Sequence, residues 1–251
     1  MARKKDRMAA VRRRNLVRLI VLALLVFGAL LLYGSARRHP EDLPWTELDL
    51  GQPIGAFTGR KLAALTGDAP RCVALLRRAG VQFSLLPGRM ENPQCGYGHA
   101  VRFAPGGAVE IGYRPANVAT NCAVSASLAL WEWRIVQPAA RRHFGRPVAT
   151  ISHFGSYSCR RMYGRGSGPW SEHATANAID VAGFTLADGS NVNVLRDWNG
   201  GGARAAFLRD VRDGACRLFS TVLSPDYNAA HANHLHLDQA ARGAWGWRAC
   251  R

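Results

Sequence analysis

Apolar positions along the chain fall into three kinds of pattern. An unbroken run, "LIVLALLVFGALLLYG" from Leu19 to Gly34, carries no charge. Val17, Ser35 and Ala36 extend it towards the ~20 residues that cross a bilayer core. Downstream the spacing turns helical. "RCVALLRRAG" (71–80) predicts a short helix stopped by Gly80. "CAVSASLALWEWRIVQPAARRHFG" (122–145) predicts a longer one, broken or bent at Pro138. "ARAAFLRDVRDGACRLFSTVL" (203–223) predicts another, with Phe207, Val211 and Leu218 among its apolar positions. Between these the pattern shortens. Residues 81–118 combine many Gly and Pro with short apolar runs, and read as strands and turns. "PVATISHFGSYS" and "AIDVAGFTL" (178–186) predict strands. "HLHLD" (234–238) alternates strictly, as a strand with two unlike faces does. Helices followed by separated strands, with no regular βαβ rhythm, predict an α+β fold: a small antiparallel sheet flanked by helices.

Charge sharpens the reading of the apolar run. The formal net charge is +16, and residues 1–18 alone hold eight basic residues against the single acid Asp6. Basic residues before the run and a much larger domain after it place the N-terminus in the cytoplasm. The expectation is an uncleaved anchor over 19–36. The rival is a signal peptide cleaved near "GSA" (34–36). A polar, proline-containing linker, "ARRHPEDLPWT" (37–47), then leads to one domain, 48–251. That domain is itself basic, which suits an anionic partner. Stacking of nucleic-acid bases on the tryptophans and tyrosines is set aside, because either membrane reading exports the domain.

The six cysteines, Cys72, Cys95, Cys122, Cys159, Cys216 and Cys250, agree with export. An even count in an exported domain predicts disulfides, and no CxxC is present to hold a metal. Pairing of neighbours (72–95, 122–159, 216–250) is the expectation.

The candidate chemistry lies in two short stretches, "SEHATANAID" (171–180) and "HANHLHLD" (231–238), which hold four of the eight histidines. On a strand, alternate side chains share a face. His234, His236 and Asp238 therefore point one way and Leu235 and Leu237 the other. The same rule sets Asp180 with Ala178 and Ala182, which leave open space beside the carboxylate. His173, seven residues earlier, is far enough away for a loop to return its imidazole to the same ion. Each motif alone is common. Together, in an exported chain with few histidines, they point to three metal ligands and an open position, the arrangement of catalytic zinc.

These residues also carry a resemblance. Ser171, His173, Ala178 and Asp180, followed by His234 and His236, are similar to the signature of the zinc D-Ala-D-Ala peptidases and their lysostaphin and hedgehog relatives. The stretches "LPWTELDL", "CAVSASLALWEW", "GSYSCR", "SEHATANAIDVAGF" and "SPDYNAAHANHLHLD" resemble more closely the bacterial extensin-like C-terminal domain. The match spans roughly 41–251. The resemblance implies zinc held by His173, Asp180 and His236, with His234 beside it as a hydrogen-bond donor. It implies an arginine that contacts substrate at Arg160, for which Arg161 competes. Ser171 is expected to shape the turn. Where many relatives carry an acid, this chain has Asn233, so His234 or His231 inherits the proton transfer, with His231 the weaker candidate; Asp226 and Asp238 are further acids within reach in sequence. Asp238 is alternatively a partner that orients an imidazole. The implied function is a zinc peptidase of peptidoglycan peptides, a monomer of the inner membrane with a single pass and its C-terminal domain in the periplasm. The alternative is a wall-binding scaffold of the same fold that does not catalyse.

Overall fold

The structure is a computed structural model that describes residues 2–243 and 248–251, with side chains from residue 12 onward. Trp245 and Trp247, two of the seven tryptophans, lie outside the described residues. The N-terminal helix α1 (Ala2–Arg38) is longer than the apolar run. It contains one stretch, Arg12–Arg38, long and apolar enough to cross a membrane, with its large apolar side chains exposed along the span. The expected linker is short and ordered. Helical bonding continues to His39, whose N–H donates to the Ser35 carbonyl. A single turn at Pro40–Asp42 follows, and the Asp42 carboxylate accepts the Ala56 N–H at 2.8 Å.

Next come α2 (Thr58–Ala64), α3 (Ala69–Arg78), the short strands β1 (Val81–Leu86), β2 (Arg89–Asn92), β3 (Cys95–Tyr97), β4 (Ala100–Gly107) and β5 (Gly112–Arg114), and then α4 (Cys122–Trp131). Asp68 caps α3 by accepting the Arg71 N–H, and Gly80 follows that helix at φ +74, a conformation that favours glycine. Asn121 caps α4 by accepting the Val124 N–H at 3.0 Å. The long helix expected over 122–145 is interrupted. A π-helical stretch, Glu132–Val136, separates α4 from α5 (Gln137–Phe144). Pro138 explains the break: it has no N–H to continue the ladder, and its ring crowds the carbonyl four residues back.

The remaining elements are β6 (Val148–His153), β7 (Ala178–Leu186), β8 (Asn191–Asn193), α6 (Val194–Asp197), α7 (Ala203–Ala215), β9 (Thr221–Leu223), β10 (Leu235–Asp238) and β11 (Ala249–Cys250). The helix expected over 203–223 ends at Ala215. Its last residues, Thr221–Leu223, pair with β10 instead, as β-branched residues on a half-buried surface do. Gly214 lets α7 approach the π stretch: a Cβ there would lie 2.2 Å from the Ile135 side chain.

Strand order in the main sheet is β11-β9-β10-β7-β6-β5, with β8 also paired to β7. The small antiparallel pairs β1–β4 and β2–β3 stand apart from it. The sheet is larger than the small antiparallel one expected: it has seven strands, with parallel pairs (β11–β9 and β5–β6) at its two ends. Ile179, Val181, Leu235 and Leu237 are fully buried and join Trp131, Phe184 and Phe207 in one core. The Phe184 ring lies 5.8 Å from Trp131 and 5.0 Å from Phe207.

Three disulfides staple the domain, in a partly different pairing from the one expected. Cys72–Cys122 joins α3 to α4, and Cys95–Cys159 joins β3 to the loop after β6. Only Cys216–Cys250 links sequence neighbours. Pairing follows which elements meet in space, and the order of cysteines along the chain does not encode that.

Candidate metal centre

The alternation of β7 and β10 builds the site. In their antiparallel register His236 lies directly opposite Asp180, and Leu235 opposite Val181. Opposite residues share a face. The apolar members therefore enter the core, while Asp180, His236 and Asp238 face a cleft of about 570 Å³. A register irregularity between Ser152 and His153 lets the chain leave β6 beside Asp180. There the Phe154 N–H donates to the Asp180 carbonyl and the Asp180 N–H to that of Gly155.

His173 returns to the same point from a one-turn helix, Glu172–Thr175, and Ser171 caps that turn by accepting the His173 N–H at 3.3 Å. Ala176, fully buried, then takes a left-handed conformation (φ +53) that reverses the chain into β7. A non-glycine residue there costs on the order of 1 kcal/mol, and the surrounding contacts hold it in place. Asn177 ties the turn down: it donates to Glu172 Oε2 at 2.6 Å and accepts from Asn121 at the start of α4.

The resulting trio is compact. His173 Nε2 lies 3.2 Å from Asp180 Oδ1 and 3.2 Å from His236 Nδ1, and His236 Nδ1 lies 2.9 Å from Asp180 Oδ1. The three residues are 3 %, 7 % and 9 % exposed in chain order. Their outer bonds decide what they offer. The His173 Nδ1–H donates to the Ser156 carbonyl at 2.6 Å. The His236 Nε2–H donates to Asp238 Oδ2 at 3.0 Å. In each neutral ring the nitrogen facing Asp180 is thus left with a bare lone pair. With those tautomers two lone pairs and a carboxylate oxygen converge on one point, an arrangement that suits a cation, whether a metal or a proton. The spacing is close to the ~3.3 Å edge of a tetrahedron with zinc bonds of ~2.0–2.1 Å. The donor set therefore fits a metal, with imidazoles braced as metal ligands are.

A proton is the alternative cation. Burial opposes charge on His236, but its bonds to Asp180 and Asp238 outweigh this and raise it to about 9. Burial likewise pushes the Asp180 carboxyl up, yet the hydrogen bonds and positive charge of His173 and His236 hold it below the usual carboxylate range.

The sequence matches the family model described as "Extensin-like protein C-terminus" over residues 70–251. The chain belongs to this extensin-like family. No curated protein and no solved structure gives a match.

Around the trio of this extensin-like domain the structure sorts the remaining candidates. His234 sits at the rim, with Nε2 3.4 Å from Asp180 Oδ1. Its Nδ1–H donates to Asn233 Oδ1 at 2.8 Å, so the bare nitrogen faces the cleft. Burial and the neighbouring imidazoles and Arg160 lower its pKa against the pull of Asp180. Arg160 Nη2 lies 3.9 Å from Asp180 Oδ2 and lines the cleft. Arg161 turns away, stacks over Trp170 at 4.4 Å and bonds the Gly168 carbonyl. Asp226 is engaged elsewhere, by Trp198 and Arg209. Asp238 bonds His236, so it orients the ring.

His231, the weaker candidate for proton transfer, has a defined place. It is buried in the cleft wall, its ring 5.1 Å from His234 and 5.6 Å from Tyr227, with Nδ1 bonded to Asn228 Oδ1 at 2.7 Å. Burial and the nearby histidines push it down to about 4. The spacing H-x-x-H-x-H was the available signal. Glu172, Tyr163, Tyr227, Arg242 and Arg251 also line the cleft; Glu172 and Tyr227 fall within the quoted stretches without a role assigned there, and the other three lie outside them.

Proposed function

We propose that this chain is a zinc-dependent peptidase, held in the inner membrane by α1 and acting in the periplasm on peptide bonds of peptidoglycan. The reading rests on one observation above all, the convergence of two imidazole nitrogens and a carboxylate oxygen on one point of an open cleft. It is supported by the resemblance to the zinc D-Ala-D-Ala peptidases, by the basic N-terminus ahead of an apolar helix, and by three disulfides suited to an oxidising compartment. Zinc held by His173, Asp180 and His236 would polarise a peptide carbonyl and bring the pKa of a water to about 7.

The chain's own residues supply the rest. His234 is unprotonated at neutral pH and oriented by Asn233, so its Nε2 takes the proton released in hydrolysis and returns it to the departing amine. His231, pushed down to about 4, is neutral at that pH and adds no positive charge beside His234. Arg160 reaches the cleft beside Asp180 and binds the carboxylate or reacting carbonyl of the peptide.

Asn233 favours a second reading. An amide accepts no proton from water, so the same fold would bind wall peptide without cutting it. Two measurements on the full chain in detergent decide between the readings. Metal analysis is expected to find about one zinc per chain, lost in His173→Ala and His236→Ala. Purified muropeptides are expected to be cleaved only when zinc is present. Zinc bound without cleavage selects the scaffold, and zinc content unchanged in either variant removes that residue from the site.

A further inference from the structure

The cleft floor extends beyond the trio, and strand register defines its rows. His236 of β10 is opposite both Asp180 of β7 and Leu223 of β9. Asp238 is opposite Thr221, and Thr221 is paired in turn with Ala249 of β11. These side chains therefore share the face that carries the trio. Arg251, two residues beyond Ala249, continues that alternation and lines the cleft. Arg242 reaches the same floor from above: its Nη2 and Nε donate to Thr221 Oγ1 at 2.6 and 3.2 Å.

These two guanidinium groups differ from several other arginines of the domain. Arg142, Arg146, Arg196 and Arg209 each pair with an aspartate. Among the described residues, neither Arg242 nor Arg251 has a carboxylate within ion-pair distance. The carboxylates of the cleft are already engaged: Asp180 by the two imidazoles, Asp238 by His236 and the Ala240 N–H, and Glu172 by Asn177. Arg242 acts on the Glu172 carboxylate only beyond ion-pair distance, so these two exposed cations of an open cleft have spare charge and spare N–H groups for an anionic ligand.

We propose that Arg242 and Arg251 form an anion subsite over β9 and β11, one to two strands across the sheet from His236, and that the peptide bound in this cleft carries an acidic side chain or carboxylate there. The inference rests on the peptidase reading above and specifies its substrate. Two strand spacings are ~10 Å, which an extended peptide covers in about three residues. Arg160 lies in the loop between β6 and β7, with its Nη2 3.9 Å from Asp180 Oδ2. With the C-terminal end of the peptide at Arg160, the acidic group is the third residue on the N-terminal side of the scissile bond.

The test uses the zinc-loaded full chain in detergent and two acetylated tetrapeptides, D-Glu-L-Lys-D-Ala-D-Ala and its D-Gln counterpart. Affinity is read by calorimetry and cleavage by released D-Ala. The acidic peptide is expected to bind about tenfold more tightly, as a charge-assisted contact warrants. In the Arg242→Gln/Arg251→Gln double variant, with zinc content unchanged, the two peptides should bind alike. Should the double variant lose zinc or fail to fold, the Arg251→Gln single variant carries the same comparison, and Arg251→Lys should retain most of the discrimination. Equal binding by the parent, or discrimination that survives the substitutions, overturns the subsite and leaves the peptidase reading standing. If neither peptide binds to zinc-loaded protein, both fall together.

Discussion

Two buried carboxylates in this domain have opposite fates. Asp180 faces the cleft, where the ion-pair partners of its carboxylate are His173, His234, His236 and Arg160, and it stays ionised. Glu132 begins the π stretch in the helical layer, only 1 % exposed. One of its oxygens accepts the N–H groups of Glu110 and Ile111 at 2.7 and 3.2 Å, and the other has no partner. Burial raises Glu132 to about 7, only partly offset by those two bonds. Both residues interrupt apolar stretches of the sequence. What separates them is the company each keeps. Asp180 lies among groups with spare lone pairs and charge, as a ligand-binding carboxylate does. Glu132 satisfies backbone donors, as a structural one does.

The comparison breaks most easily at the cleft. Asp180→Asn removes the charge but little volume, and zinc affinity should fall more than ~100-fold, beyond the ~10–100-fold typical of residues that only brace a ligand. Asp238→Asn tests that second class. It leaves all three donors in place but weakens the bond that fixes the His236 ring, so a loss of ~10–100-fold is expected. Competition with a fluorescent zinc chelator measures both. A loss in Asp238→Asn as large as in Asp180→Asn would mean that Asp238 is itself a ligand.

Acidity offers a finer probe of the same trio. In the metal-free protein His236 holds a proton up to about pH 9. A metal must displace that proton, so binding releases it. Zinc affinity should rise with pH by up to tenfold per unit between about 6 and 9, then level off. Chelator competition across that range gives the slope. A flat profile would mean that His236 is neutral before the metal arrives, and that Asp180 and Asp238 do not act on it as a pair.

How much of this was legible in the sequence follows from how local each rule is. Strict alternation in "HLHLD" and "AIDVAG" was enough to separate core from cleft, because side-chain direction on a strand depends only on neighbouring positions. The order of apolar and polar residues likewise marked Pro138 as a break, though not that a π stretch would absorb it. Disulfide pairing was not legible, because Cys72 and Cys122 meet only when α3 packs on α4. Nor was the role of Arg242 or Arg251. Each reaches the cleft through the pairing of β9 with β10 and β11, contacts for which a single sequence holds no periodic signal. The helix expected to reach residue 223 shows the same limit, since "STVL" joins a sheet whose partner strand lies a dozen residues further on.

Glu132 yields the mildest prediction and the one with the clearest sign. Its pKa is about 4.5 when unfolded and about 7 when folded, so the folded state holds the proton more tightly. Stability is therefore full below pH 4.5, declines as pH rises through the window to 7, and stays lower above it. The expected decline is on the order of 3 kcal/mol. Glu132→Gln keeps an oxygen for the Glu110 and Ile111 N–H groups and carries no charge. The variant should be more stable than the parent at pH 8 by roughly 1–3 kcal/mol, less whatever its unpartnered amide costs, and should lose that advantage at pH 4. Denaturant unfolding of both proteins at the two pH values isolates this residue, because every other titrating group is common to them. Zinc binding should not change in the variant. If Glu132→Gln destabilises the protein at pH 8, then a group beside its second oxygen keeps the carboxylate charged, and Glu132 belongs with Asp180 rather than opposite it.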